Sequence, residues 1–354
     1  MMKHSASSFG IFKIAAAYIG TVVGAGFASG QEILRFFVAY GAFGLFGIAV
    51  STFLFFFIGY SILMLGRSLK ARSHMDIVLY ANGRAFGSFF DIVTTLFLFG
   101  GLAAMIAGSG AIFSEQFGLP PLYGTLAMAF LTMLTAAAGT KGVVNAISFA
   151  VPFLMVSVSY MCIACLMQNP VTGENMQAAS TFDGATPNWL LSAVNYASYN
   201  IIVSIGILAP LGAATNNKKK LLIGALIGAL GLGSGMAAIH LCILSHIFDA
   251  GAMEVPMLGI AQGISPVIKP LFAIVMLFMV YSTAVSNLFA LTRRLSARLP
   301  KQLMVALSGC LAFSISQLGF SNMVRFLYPV AGYGGMVFVA GVLFIWIKKR
   351  SAVT

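Results

Sequence analysis

Charge is the first thing this sequence lacks. Of 354 residues only 8% are Asp, Glu, Lys or Arg, while 60% are hydrophobic, and the mean hydropathy is +0.97. A water-soluble domain carries about 25% charged residues, so that class is excluded and the chain reads as an integral membrane protein. Long polar connections are missing as well, which leaves no room for a separate soluble domain. The apolar runs are continuous, whereas barrel strands alternate over about 10 residues, and this argues against a β-barrel. Cysteine is limited to Cys162, Cys165, Cys242 and Cys310. Cys162 and Cys165 form a C-x-x-C, but zinc or redox chemistry needs a second ligand pair or an aqueous setting. Helix packing is therefore their expected role. Paired aspartates, an H-E-x-x-H and a nucleophile with a base at membrane depth are all lacking, so no catalytic residue is assigned and an enzyme is not expected.

What the chain does have is apolar length. Ten stretches approach or exceed the roughly 20 residues that cross the hydrocarbon as a helix. They run approximately over 9–40, 42–66, 86–113, 121–139, 143–167, 189–213, 219–247, 266–292, 302–320 and 323–347. The expected fold class is an all-α membrane protein of ten transmembrane helices forming one transmembrane domain over 1–354. A basic start and small residues near Gly26 to Ser29 resemble a cleavable signal, but the apolar run resumes at Ile33, which argues against one.

The net charge of +12 raises the question of nucleic acid, and the placement of the basic residues answers it. Seventeen of the twenty Lys and Arg fall on one side of a ten-helix layout: Lys3, Lys13, Arg67, Lys70, Arg72, Arg84, Lys141, Lys218 to Lys220, Arg293, Arg294, Arg298, Lys301, Lys348, Lys349 and Arg350. The opposite loops hold Glu115, Glu174, Asp183, Asp249 and Glu254, with Arg35, Lys269 and Arg325 near them. By the positive-inside rule both termini are cytoplasmic in a multi-pass cell-membrane protein. The charge is a topology signal with a lipid bilayer as partner, not a nucleic-acid surface.

One stretch is out of place in hydrocarbon: GAGFASGQEI, residues 24–33. Backbone groups in lipid must be paired, so an interruption at this depth survives only buried in protein or lining a wet cavity. Gly20, Gly24, Gly26 and Gly30 weaken a helix, and Ser29-Gly-Gln-Glu32 fits a capping box that starts a new one. The expectation is one helix ending near Val23 and another beginning near Ser29. Close packing through G-x-x-x-G explains the glycines but not Ser29, Gln31 and Glu32 together. The spacing G-x-G-x-x-x-G, with no strand before it, also fails the dinucleotide fingerprint.

An inverted-repeat transporter predicts a matching interruption in its other half. Dividing the spans five and five, about 9–167 and 189–347, makes NYASYNIIVSIGILAPLG the counterpart, with Asn195, Ser198, Tyr199, Asn200 and Ser204 ahead of Gly206 and Pro210. The alternative is that these side chains bond within or between helices. Span 8 adds Ser282 and Ser286 on one helical face and Thr283 with Asn287 on the adjoining one, oxygen groups of the kind hard cations take. Glu32 is a membrane-depth carboxylate, read either as a cap or as a gating or coupling group. Arg35, one turn on, is placed to pair with it. His240 and His246 have no partner at metal spacing and read as structural.

The pattern YIGTVVGAGFASGQEILRFFVAYG, followed by a second helix ending LMLGRSL, resembles the opening of transporters with the leucine-transporter fold, the amino acid-polyamine-cation superfamily. Over its full length the chain is similar to the YkvI-type group of bacterial membrane proteins. This resemblance implies a five-plus-five inverted repeat, alternating access, and substrate held at breaks in helices 1 and 6. The implied substrate cradle is Gly24, Ala25, Gly26, Phe27 and Ser29 with Asn195, Ser198, Tyr199 and Asn200, in which Phe27 and Tyr199 give the apolar walls. A coupling cation would sit between carbonyls of Gly20, Val23 and Met279 and the hydroxyls of Ser282 and Thr283. Proton-coupled relatives place a lysine amine there from mid helix 5. Span 5 has no interior lysine, so the resemblance implies sodium as coupling ion and no other cofactor. Phe27 replaces the amide that helps bind a further sodium in neurotransmitter-sodium symporters, and that further site is not expected.

The functional expectation is a cation-coupled, sodium-driven carrier of a small amino-acid-like solute. A proton-coupled amino acid permease, and a membrane sensor that binds solute without moving it, are the alternatives. The oligomeric state is not encoded in any of these features.

Overall fold

The computed structural model describes residues 9–71, 74–138, 156–264, 267–295 and 300–351. Lys3, Arg72, Lys141, Arg298 and the 143–155 part of the fifth expected span lie outside the described residues. Every regular element described is helical. In chain order the α-helices are α1 (Ile11–Val22), α2 (Ala25–Ser29), α3 (Gln31–Phe36), α4 (Phe43–Leu69), α5 (His74–Phe117), α6 (Pro121–Ala138) and α7 (Val156–Gln168), with a single 3-10 turn at Val38–Tyr40 between α3 and α4. There follow α8 (Gly173–Ala179), α9 (Trp189–Ala213), α10 (Lys218–Ser245), α11 (Ile247–Ala250), α12 (Pro256–Ile264), α13 (Ile268–Leu295), α14 (Lys301–Ser316) and α15 (Phe320–Ser351).

Six of these contain a segment long and apolar enough to cross a membrane: Phe43–Leu69, Phe86–Phe117, Trp189–Ala213, Lys218–Ser245, Ile268–Thr292 and Phe320–Ile345. Shorter apolar helices Ile11–Val22, Pro121–Ala137, Val156–Gln168 and Gln302–Ser316 occupy the other four expected spans. At a rise of about 1.5 Å per residue the described part of each is shorter than the roughly 30 Å core. The multi-pass character is plain from the six long helices. Polar side chains set several helix starts: Asn188 Oδ1 accepts from Leu191 N at 2.8 Å, and Asn217 Oδ1 from Lys220 N at 3.2 Å. Each satisfies an amide that has no intrahelical partner.

The helices sort into two groups by what they pack against. In one, α4 lies along α9 and α10, and α1 lies along α10 and α9. In the other, α5 packs on α13, α6 and α14, and α6 packs on α14 and α13. Helix α15 bridges the groups through α9 and α5, and α2 reaches across to α13. Glycines permit the closest approaches. A Cβ at Gly66 would run into the backbone of Ala209, and one at Gly212 into the backbone of Leu63, so α4 and α9 meet nearly main chain to main chain.

Helix 1 is broken as expected, with different punctuation. Val23 and Gly24 are extended between α1 and α2, and Gly30 is left-handed (φ 81°, ψ −8°) between α2 and α3. The expected capping box is not formed. Ser29 ends α2, its hydroxyl donating to Gly26 O at 2.8 Å and accepting from Gln31 N at 3.2 Å. The Glu32 side chain turns away to a tyrosine. The physical reason is Gly30: a left-handed residue reverses the chain and takes the N-cap position of α3 itself.

Helix 6 corrects the second expectation. Helix α9 is continuous from Trp189 to Ala213, with Pro210 inside it. Its polar side chains bond back along the helix: Ser198 Oγ to Val194 O at 2.7 Å, Asn200 Nδ2 to Tyr196 O at 3.1 Å and Ser204 Oγ to Asn200 O at 2.8 Å. Such bonds leave the backbone ladder intact, so polar residues alone do not unwind a helix.

Candidate functional site

The breaks around α2 open onto a cavity of about 70 Å³ where the two helix groups meet. Helix 1 contributes Thr21, Val22, Gly24, Ala25, Gly26 and Glu32, and α9 contributes Tyr199, Asn200 and Val203. Across from them stand Phe97, Gly101 and Met105 of α5, Thr283 and Asn287 of α13, and Tyr328 of α15.

Glu32 is the centre of this arrangement. It is 5% exposed, and the Tyr199 hydroxyl donates to its Oε2. Gly26 makes this geometry possible, because a Cβ there would overlap the Glu32 carboxylate. Tyr199 sits in a cluster of rings, its centroid 5.2 Å from Tyr328, 5.3 Å from Tyr196 and 5.9 Å from Phe97. Phe97 and Tyr328 are themselves 5.9 Å apart. Such spacings are those of edge-to-face and tilted aromatic packing, and they fix Tyr199 from three sides.

Arg35 does not pair with Glu32. Successive turns of α3 send the two side chains to opposite ends. Arg35 donates from Nη1 to Asp183 O at 3.1 Å and from Nη2 to Ser321 Oγ at 2.9 Å. Gln31 Nε2 donates to the same hydroxyl at 2.5 Å, and Arg325 pairs with Asp183 at 2.8 Å. Together they form a polar closure above the cavity, tying α3 to the start of α15 and to the 180–188 connection. Alongside it, Glu254 accepts from Phe320 N at 3.1 Å and Glu115 accepts from Glu254 N at 2.8 Å. Burial pushes the Glu254 carboxyl up from its ordinary value, and the N–H groups of Phe320 and Ser321 pull it back.

Of the expected substrate residues, Gly24, Ala25, Gly26, Tyr199 and Asn200 line the cavity. Phe27 does not: it is buried with its ring against Gly235 of α10. Ser29 is spent locally, Ser198 on its own helix, and Asn195 donates to Pro329 O at 2.9 Å. Of the expected cation set, Thr283 faces the cavity, while Gly20, Val23, Met279 and Ser282 stand outside its lining. Ser282 Oγ donates to Met279 O at 3.0 Å. The contributions of Phe97, Gly101, Met105 and Tyr328 were not anticipated. Phe97 and Met105 carry no polar signal, whereas Tyr328-Pro329 inside an apolar span was a legible one.

The cysteines and histidines make a separate contact. Cys165 Sγ lies 3.0 Å from His246 Nδ1, and Asn169 Nδ2 lies 3.0 Å from His246 Nε2. The sequence gives His246 no partner at metal spacing; the fold gives it hydrogen-bonding neighbours by bringing the ends of α7 and α10 together. Among the described residues no group of three or more His, Cys, Asp or Glu could hold a metal ion.

This architecture is shared with known transporters. The chain superposes on MhsT in complex with L-phenylalanine with a TM-score of 0.65 at 17% identity, covering 92% of this chain and 87% of that one. For inward-facing Mhp1 the TM-score is 0.64 at 14% identity, covering 94% and 76%. For a substrate-bound, outward-open Na+-coupled sialic acid symporter it is 0.58 at 12% identity, covering 88% and 72%. The fold is thus that of the leucine-transporter class. In sequence the chain is 29% identical over 333 residues to the uncharacterized membrane protein YkvI of Bacillus subtilis, covering 94% of each. No protein-family model matches.

Proposed function

We propose that this chain is a cation-coupled secondary transporter, driven by sodium, that moves a small amino-acid-like solute across the cell membrane by alternating access. The observation that carries this reading is the rupture of helix 1 beside a cavity where two helix groups meet. Irregular backbone in a membrane interior is stable only where it is enclosed by protein or lines a cavity, and here it does both. Two groups in contact through a site can rock against each other and expose that site to either side in turn. A five-plus-five repeat accounts for the grouping, since α1 and α4 stand with α9 and α10 as α5 and α6 stand with α13 and α14.

The cavity as described is far smaller than the pockets of about 300–1,000 Å³ that enclose typical ligands. A solute of amino-acid size therefore requires the two groups to part. Arg35, Gln31 and Ser321 act as the gate on the acidic-loop side, which we assign to the cell exterior with both termini cytoplasmic. The sodium ion would take the Gly20, Val23 and Met279 carbonyls and the Ser282 and Thr283 hydroxyls, oxygen donors suited to a hard cation. Solved transporters of the same fold include one described as Na+-coupled and one bound to L-phenylalanine, which supports both parts of the reading. Proton coupling is the second reading, favoured by one observation: Glu32 is a carboxylate inside the cavity.

Thermal unfolding of the purified protein against the twenty amino acids, with sodium or potassium as sole cation, tests the reading. Stabilisation by a subset of solutes, larger in sodium, is expected. Equal stabilisation in both salts with a marked dependence on pH would replace sodium by the proton.

A further inference from the structure

The electrostatics of the cavity are one-sided. Glu32 is the one carboxylate among the described residues that line it, and none of them is Lys, Arg or His. Arg35, the nearest cation along the chain, is committed to Asp183 O and Ser321. A buried carboxylate with no basic partner costs several kcal/mol, so the site is stable in its charged form only with a cation from outside the chain. The wall beside it is aromatic: Tyr199 and Tyr328, with centroids 5.2 Å apart, and Phe97 within 5.9 Å of each. Ring faces attract an ammonium group in addition to the carboxylate. The other walls offer Asn200, Asn287 and Thr283 as neutral polar groups, and no charged donor to receive an anion.

We propose that the feature of the cargo this site recognises is a positively charged nitrogen, seated between the Glu32 carboxylate and the rings of Tyr199, Tyr328 and Phe97, and that the cargo needs no carboxylate. This rests on the cavity being the solute site of the transporter reading. Its chemistry stands on the lining alone. The Tyr199 hydroxyl orients the carboxylate, whose Oε1 edge packs on Gly26. A volume of 70 Å³ is about that of two waters at roughly 30 Å³ each, so the smallest alkylammonium ions fit the cavity as it stands.

The test is equilibrium binding of radiolabelled ethylammonium to the full-length protein in nanodiscs, competed by unlabelled propylammonium, alanine, acetate and propionate. Propylammonium and alanine compete; acetate and propionate do not. Glu32→Gln lowers the affinity for ethylammonium about tenfold or more, as loss of a charge-assisted contact does. Tyr328→Leu, which removes a ring and leaves the carboxylate, lowers it severalfold and serves where the Glu32 variant does not fold. No binding of ethylammonium by the wild type, competition by acetate equal to that by propylammonium, or a folded Glu32→Gln variant with wild-type affinity overturns the proposal. So does competitive displacement of ethylammonium by rising sodium, which would give Glu32 to the ion. Ammonium binding without counterflow in liposomes would leave this inference standing and remove the transporter reading. Carriage of a solute with no positive nitrogen would do the reverse.

Discussion

Gly26 and Glu32 are in contact across the left-handed turn at Gly30: a methyl group on Gly26 would occupy the position of the Glu32 carboxylate. The carboxylate reaches the cavity because the helix that precedes it has no side chain there. Gly26→Ala therefore displaces Glu32 or strains α2, at about 1–3 kcal/mol for overpacking. A lowered unfolding temperature is expected, and it should be largely restored by the second change Glu32→Ala. Additive effects of the two substitutions would show that the contact is not the cause.

Ser321 receives two donors, Gln31 Nε2 and Arg35 Nη2, in a half-buried position, whereas the Arg325–Asp183 pair is largely solvated at 38% and 64% exposure. Exposed ion pairs contribute about 0–1 kcal/mol; stranding buried donors costs about 1–3 kcal/mol each. Ser321→Ala is expected to destabilise the protein more than Asp183→Asn in thermal unfolding. The opposite order would mean that the ion pair, and not the shared hydroxyl, holds the closure.

Thr283 faces the cavity, whereas the hydroxyl of its neighbour Ser282 is bonded to Met279 O. If both hydroxyls serve the sodium ion, Thr283→Ala and Ser282→Ala each raise the sodium concentration for half-maximal stimulation, by about tenfold for a lost ligand of 1.4 kcal/mol. Uptake measured against sodium concentration checks this. Unchanged stimulation in both variants removes the assigned ion site.

At the α4–α9 crossing, Gly212→Ala places a methyl group against the Leu63 backbone, which no rotamer change relieves. Destabilisation of about 1–3 kcal/mol is expected. A lipid-facing change such as Phe53→Ala, at a side chain 62% exposed, is the control and should have little effect on the unfolding temperature.

How much of this was legible in the sequence depended on which backbone features leave a mark. Gly30 is needed for the left-handed turn after α2, whereas Gly24 is extended and a Cβ there would meet nothing, so the break in helix 1 could be read from the glycines although only one of the two is required. The continuity of α9 could not, because Ser198, Asn200 and Ser204 look the same whether they line a gap or bond back along an intact helix. Glu32 stood out as a carboxylate in an apolar run, but its partner could not be read. Tyr199 is 167 positions away, and nearness along a helix pointed instead to Arg35. Phe97 and Met105 were invisible for a simpler reason: an apolar residue on a cavity wall and one facing lipid have the same signature until the helices are packed.

The most direct test is counterflow in proteoliposomes of a labelled solute that stabilises the purified protein, with and without sodium. Transient accumulation by the wild type that is stimulated by sodium, its loss in Glu32→Gln, and a need for higher sodium in Thr283→Ala, is the result expected here. Stabilisation by the same solute with no accumulation under any cation gradient would contradict it, and would make the protein a receptor on a transporter scaffold.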